Sequence, residues 1–196
     1  MSPDEFADSL CERIRNGRSL NSHGFEPVYY VVYDPKRTRD AMKFEKSLKA
    51  RLDGEGFAVF EFNVFRELWS VLESNEDEWP ELEAYAEENP LEWDELQETL
   101  SETARGSGGQ SESLADRLKA KLRETEGSEK PVMLVTGVHA LHGFMRPGDL
   151  ENLLNGEFVC PTVFFYPGKT EGRDGLRFLN FSKADTNYRS EHLELP

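Results

Sequence analysis

The sequence predicts one three-layer α/β domain with a mainly parallel sheet. Three observations carry that reading. Runs at 28–33, 132–135 and 162–166 are continuously apolar or β-favouring, as strands buried on both faces are. Segments of helical periodicity separate them, the order that gives parallel strands joined by crossovers. A chain of 196 residues is long enough to bury one such core and too short for two ordinary ones.

At the start, Phe6, Leu10 and Ile14 recur every fourth residue and Gly17 follows, which predicts an amphipathic helix over 3–16 packed outside the sheet. VYYVVY then ends at Asp34-Pro35 and is the first strand. Ala41, Phe44, Leu48 and Leu52 repeat at helical spacing before Gly54, and 58–62 supplies a second strand, closing a strand, helix, strand unit. Asn63 is placed to cap a helix over 64–72, because its amide oxygen can accept from a free first-turn N–H.

From Glu73 to Glu102 there is neither Lys nor Arg, yet Trp79, Tyr85 and Trp93 interleave with the acids. Disordered acidic tails are poor in aromatics. The stretch 73–105 therefore reads as an acidic helical insertion, broken at Asn89-Pro90, that offers Trp79 and Trp93 as anchors for a partner. Taken singly, each tryptophan is better explained by folding back onto the core. Deleting 77–102 is expected to leave the α/β domain folded. Residues 106–113, rich in Gly and Ser, read as a flexible linker, and a helix resumes over 113–123 with Leu114, Leu118 and Leu122 on one face.

The third strand, 132–135, is followed by Thr136-Gly137 and a crossover. The fourth, 162–166, is read as leaving through a turn at Pro167-Gly168-Lys169. Residues 176–181 alternate imperfectly, as an edge or final strand would, and the tail beyond Tyr188 is expected to fray. Parallel strands place binding sites at their carboxyl ends, here Thr136-Gly137 and Pro167 to Lys169.

The crossover region, with TGV, Arg146, LENLL, TVFFYPGKTEG, LRFLNF and NYR, resembles the BrxB family of bacteriophage-exclusion (BREX) systems. Upstream, KFEKSLKARLDGEGFAVFEFNVFRELWSVLE is similar to the same family's first helix, second strand and following helix, so the resemblance runs from about Tyr29 to Arg189. Thr170-Glu171-Gly172 stands where the family usually has Tyr-Asp-Gly, and Asn187-Tyr188-Arg189 replaces its paired tyrosines. The resemblance implies a non-enzymatic adaptor with other BREX proteins as partners, notably the alkaline-phosphatase-like PglZ subunit and the BrxC ATPase.

Composition bounds the alternatives. Charged residues make up 31% and hydrophobic ones 37%, and the acidic N-terminal stretch is unlike a signal peptide, so a cytoplasmic protein without a membrane span is expected. A net charge of -15 repels phosphate backbones and argues against direct nucleic-acid binding. The same acidity suits a halophilic surface as well as it suits a basic partner. Cys11 and Cys160 are too few and too far apart for a disulfide framework.

The architecture resembles a P-loop domain, but the place of the phosphate loop is taken by Asp34-Pro35-Lys36-Arg37-Thr38, which has no glycine and leads with a carboxylate. Gly168-Lys169-Thr170 lacks the required upstream glycine, since Val163 stands there inside a strand. The fold is thus read as degenerate P-loop-like, with no NTP hydrolysis and no cofactor. His139 and His142 form one loose pair, short of a zinc pattern, so no metal is expected. No nucleophile motif is present, and Asp34 is best read as a cap. Arg146 and Lys169, with Lys36, Arg37 and Arg39, are placed to form a positive patch at the strand tips that binds a partner. The rival reading is a small enzyme or a nucleotide or phosphate sensor in that crevice, built on Asp34, Thr136 and Lys169.

Overall fold

A computed structural model describes residues 1–20, 26–73, 93–106, 112–172, 175–186, 188 and 190–196, with isolated positions 80, 84, 87 and 88. Side chains at 17–20, 93, 95 and 96 fall outside that description. In chain order the elements are α1 (Pro3–Leu20), β1 (Val28–Tyr33), α2 (Thr38–Gly54), β2 (Ala58–Asn63), α3 (Val64–Glu73), α4 (Trp93–Arg105), α5 (Leu114–Arg123), β3 (Pro131–Thr136), α6 (Pro147–Leu153), β4 (Thr162–Glu171), β5 (Gly175–Phe178) and β6 (Glu191–Glu194). Short 3-10 turns at Pro35–Arg37 and Val138–Leu141 follow β1 and β3.

The sheet runs β2-β3-β4-β1-β6, every neighbouring pair parallel, and β5 pairs antiparallel with β4. Alternation along the buried strands sends side chains to two cores, one on each face. Tyr29, Val31, Tyr33, Leu134 and Phe165 meet Phe6, Leu10, Phe44, Leu48 and Leu52 of α1 and α2. Tyr30, Val32, Met133, Val135 and Phe164 meet Leu68, Ala104, Leu118 and Leu150 of α3 to α6. Helices therefore cover both faces, which gives the three layers. Each fully buried leucine here contributes on the order of 2 kcal/mol by removal from water. Cys11 and Cys160 are free thiols in opposite cores, separated by the sheet, and burial pushes the Cys11 thiol up.

Local chemistry fixes several boundaries. Asn63 Oδ1 accepts the Arg66 N–H at 3.0 Å and caps α3, as its position predicts. At Gly137, φ is +69° and a Cβ would stand 3.1 Å from Asn63 Oδ1, so the turn after β3 requires glycine. Ser113 and Asp116 form a reciprocal capping box at the start of α5. Residues 107–111 of the expected linker lie outside the described residues, while Ser113, expected at its end, is a buried cap.

Four readings of the sequence are corrected. α1 continues past Gly17 to Leu20. Gly168 does not end the fourth strand: β4 runs to Glu171, and 168–171 form a ladder with β5 in the register Gly168↔Phe178, Lys169↔Arg177. Residues 176–178 do form an edge strand, within that hairpin, but the final strand is β6 on the outer side of β1. The tail is held, because β6 pairs with β1 and Leu195 is buried. An aromatic cluster fastens it further: Tyr30 stacks on Phe164 at 5.0 Å and meets Tyr188 edge-on at 5.2 Å, and Tyr188 meets His192 at 5.4 Å.

The end of the acidic stretch belongs to the core. Ala104 and Ser101 of α4 are buried, Leu100 packs on the same core, and Gln97 Nε2 donates to Gly143 O at 2.7 Å. Trp79, and the side chain of Trp93, lie outside the described residues.

Candidate functional site at the strand tips

The carboxyl end of β1 turns at once. Asp34 Oδ1 accepts the Lys36 N–H at 2.9 Å, Pro35 occupies the first position of the 3-10 turn, and Thr38 Oγ1 donates to Pro35 O at 2.7 Å. Arg37 faces Asp40 at 3.5 Å and donates to Pro196 O at 2.8 Å. An amide that a phosphate would need is thus already bonded to a carboxylate of the same turn, and that negative charge would repel phosphate.

Next to this turn a crevice of about 240 Å³ is lined by Asp34, Arg37, Gly168, Lys169, Asn180 and Glu194, among others. It lies between the tips of β1 and β4, where an open parallel sheet characteristically takes ligand. Its charges are mixed, and its wall is a hairpin rather than a loop. At Gly168 a Cβ would stand 2.3 Å from the Arg177 carbonyl oxygen and 2.6 Å from Tyr166 Cε1. The glycine is therefore explained by close packing of β5 on β4, not by approach to an anion. Across the hairpin Arg177 forks onto Glu171, Nη2 to Oε1 at 2.6 Å, which holds that carboxyl below its ordinary range.

The crevice brings Asp34 and Lys169 together. Thr136 is not part of its lining, and its Oγ1 instead accepts from Asn63 Nδ2 at 3.3 Å. Arg146 lines a different groove, of about 380 Å³, beside the loop between β3 and α6. The single patch expected from Arg146 and Lys169 is therefore divided between two cavities. Gln97, Ser101, Arg105, His142, Asp149 and Ser182 share the groove with Arg146. They come from distant parts of the chain, and of these side chains the sequence points to Arg146 and, beside its histidine pair, to His142 and Asp149. His139 sits in the 3-10 turn after β3, and His142 meets Phe181 edge-on at 5.1 Å. Among the described residues no three His, Cys, Asp or Glu side chains converge as metal ligands would.

What these features define is a three-layer α/β protein whose first-strand turn is closed by its own aspartate. The model of the family described as BREX protein BrxB matches residues 60–193, which is more than half of the chain, and the chain belongs to that family. No curated protein and no solved structure matches it. Among the described residues no helix is long and apolar enough to cross a membrane.

Proposed function

We propose that this member of the BrxB family is a non-enzymatic adaptor of a BREX antiphage system. It binds other proteins of that system, the PglZ alkaline-phosphatase-like subunit and the BrxC ATPase being the partners proposed. In this reading the fold is a degenerate P-loop-like domain that has lost its nucleotide. The observation that carries it is the Asp34 carboxylate seated on the Lys36 amide, in the place where a phosphate-binding loop would begin.

Family membership supplies the system, and the strand-tip geometry argues against phosphoryl chemistry at β1. The docking surface we propose is the acidic stretch with Trp79 and Trp93, a pair of aromatic anchors whose surrounding carboxylates steer encounter with a basic surface. Arg146 and Lys169 are the alternative contact points.

The test is affinity purification of the tagged chain from cells that also express PglZ and BrxC. Recovery of either in a stable complex supports the adaptor reading. Turnover of a nucleotide or phosphate ester by the purified chain, abolished by Lys169→Ala, would instead support an enzyme in the β1–β4 crevice.

A further inference from the structure

The groove beside the β3–α6 loop has a chemistry at odds with the rest of the chain. The protein carries 38 acidic and 23 basic side chains, so a place where two arginines gather runs against its overall charge. Among the described residues ten basic side chains pair with a carboxylate within 4.0 Å. Arg105, at the end of α4, and Arg146, just before α6, do not form an ion pair among the described residues, yet both line this one groove together with His142. Among the described residues Asp149 is the carboxylate in the lining, and it is engaged: its Oδ2 accepts the Arg146 backbone N–H at 3.2 Å at the start of α6.

The groove is also built rather than incidental. Gln97 Nε2 donates to Gly143 O at 2.7 Å, and Ser101 Oγ lies 2.6 Å from Gln97 O and 3.3 Å from Gly143 O. These bonds tie α4 to the loop and fix the walls on which Arg105 and Arg146 stand. Phe144, Met145 and Phe178 also border it, an apolar contribution that lowers the local dielectric and strengthens any ion pair formed there.

We propose that this groove binds a phosphoryl group carrying two or more negative charges. Two guanidinium forks, an imidazole and the Ser182 hydroxyl present more donors than the two oxygens of a carboxylate accommodate, whereas a terminal phosphoryl group offers three oxygens in tetrahedral array. A volume of about 380 Å³ admits a diphosphate or a phosphorylated side chain. The groove lies away from the β1–β4 crevice and uses none of its residues apart from the shared fold, so this inference stands independently of the adaptor reading.

Isothermal titration of the whole chain with inorganic pyrophosphate, with a phosphoserine peptide, and with the same peptide carrying glutamate in place of phosphoserine tests it. Saturable one-site binding is expected for pyrophosphate if the natural source is a free ligand, and for the phosphopeptide if it is a protein side chain. The affinity should fall about tenfold for Arg105→Ala and again for Arg146→Ala, the scale of a lost charge-assisted contact. It should be unchanged for Lys46→Ala on the opposite face, with circular dichroism verifying each fold. Arg146→Lys keeps the charge and loses the fork, and is also expected to weaken binding, which covers the case in which an alanine variant does not fold. Absence of saturable binding to both phosphoryl probes would overturn the proposal. So would equal affinity in the Arg105→Ala, Arg146→Ala double variant, or glutamate peptide binding as tightly as the phosphopeptide.

Discussion

Asp34 Oδ1 accepts the backbone N–H of Lys36 at 2.9 Å, so the turn at the tip of β1 is closed by its own carboxylate. Asp34→Ala should lower stability by about 1 kcal/mol, as loss of an N-terminal cap does. It should not confer ATP hydrolysis, because no glycine-rich loop is uncovered. Urea denaturation and a phosphate-release assay read the two outcomes, and hydrolysis gained by the variant would contradict the account of this turn.

Gly168 separates packing from ligand binding. The Arg177 carbonyl oxygen leaves no room for a Cβ there, so Gly168→Ala should cost about 1–3 kcal/mol, the range of overpacked sites. Lys169→Ala, on the exposed side of the same strand, should stay within about 0.5 kcal/mol of the parent. Equal stability of the Gly168→Ala protein and the parent would show that β5 does not hold β4 in this register.

Tyr30 is fully buried between β4 and β6, and among the described residues its hydroxyl makes no hydrogen bond of good geometry, the Glu151 carboxylate being a nearby polar group. Burial pushes its ionisation well up, and burial likewise raises Tyr166 to about 12. Since an unpaired buried hydroxyl carries a desolvation cost, Tyr30→Phe should keep the stacking on Phe164 and leave stability equal or raised by up to about 1 kcal/mol. A clear loss in thermal or chemical denaturation would mean that the hydroxyl is satisfied in solution.

Ser113 and Asp116 give a pH signature. Hydrogen bonds from Ser113 hold the Asp116 carboxyl below its ordinary 3.8. The folded state binds that proton less readily than the unfolded chain, so the contribution is fully present above the ordinary value and is lost as pH falls through the lower folded one. Ser113→Ala should therefore cost about 1 kcal/mol at neutral pH. The difference between variant and parent should shrink below pH 3.8, and a difference that is constant across that window would refute the capping box as its source.

Much of the layering was legible because continuous apolar runs and four-residue periodicity are local signals. β1, β3, α2 and the Asn63 cap belong to that class. The hairpin was not legible. Gly168 reads as a turn in sequence, and only the approach of Arg177 from nine residues on makes it a strand residue. β6, EHLE, is short and polar, and becomes a strand only because β1 offers it an edge. α4 resembled a detached insertion because its acids outnumber its anchors, yet half-buried Leu100 and buried Ser101 and Ala104 turn one side of it to the core. The Arg105 and Arg146 groove combines segments far apart in the chain, and no spacing rule joins them.

Since α4 packs on the core, a deletion of 77–102 would remove Gln97 and Ser101 from Gly143 and should destabilise the domain rather than leave it intact. A deletion of 77–92 spares those contacts and removes Trp79 with most of the acidic run. Loop closure costs little, so this shorter variant should fold.

The adaptor reading is tested most directly by co-expressing the tagged chain, parent or with 77–92 deleted, with PglZ and BrxC, and measuring the mass of what is recovered by light scattering. The account predicts that the parent elutes with at least one of them, and that the folded deletion variant elutes alone. A parent that elutes alone from cells holding both proteins would contradict the adaptor, and a deletion variant that keeps its partner would move the docking surface to the strand tips.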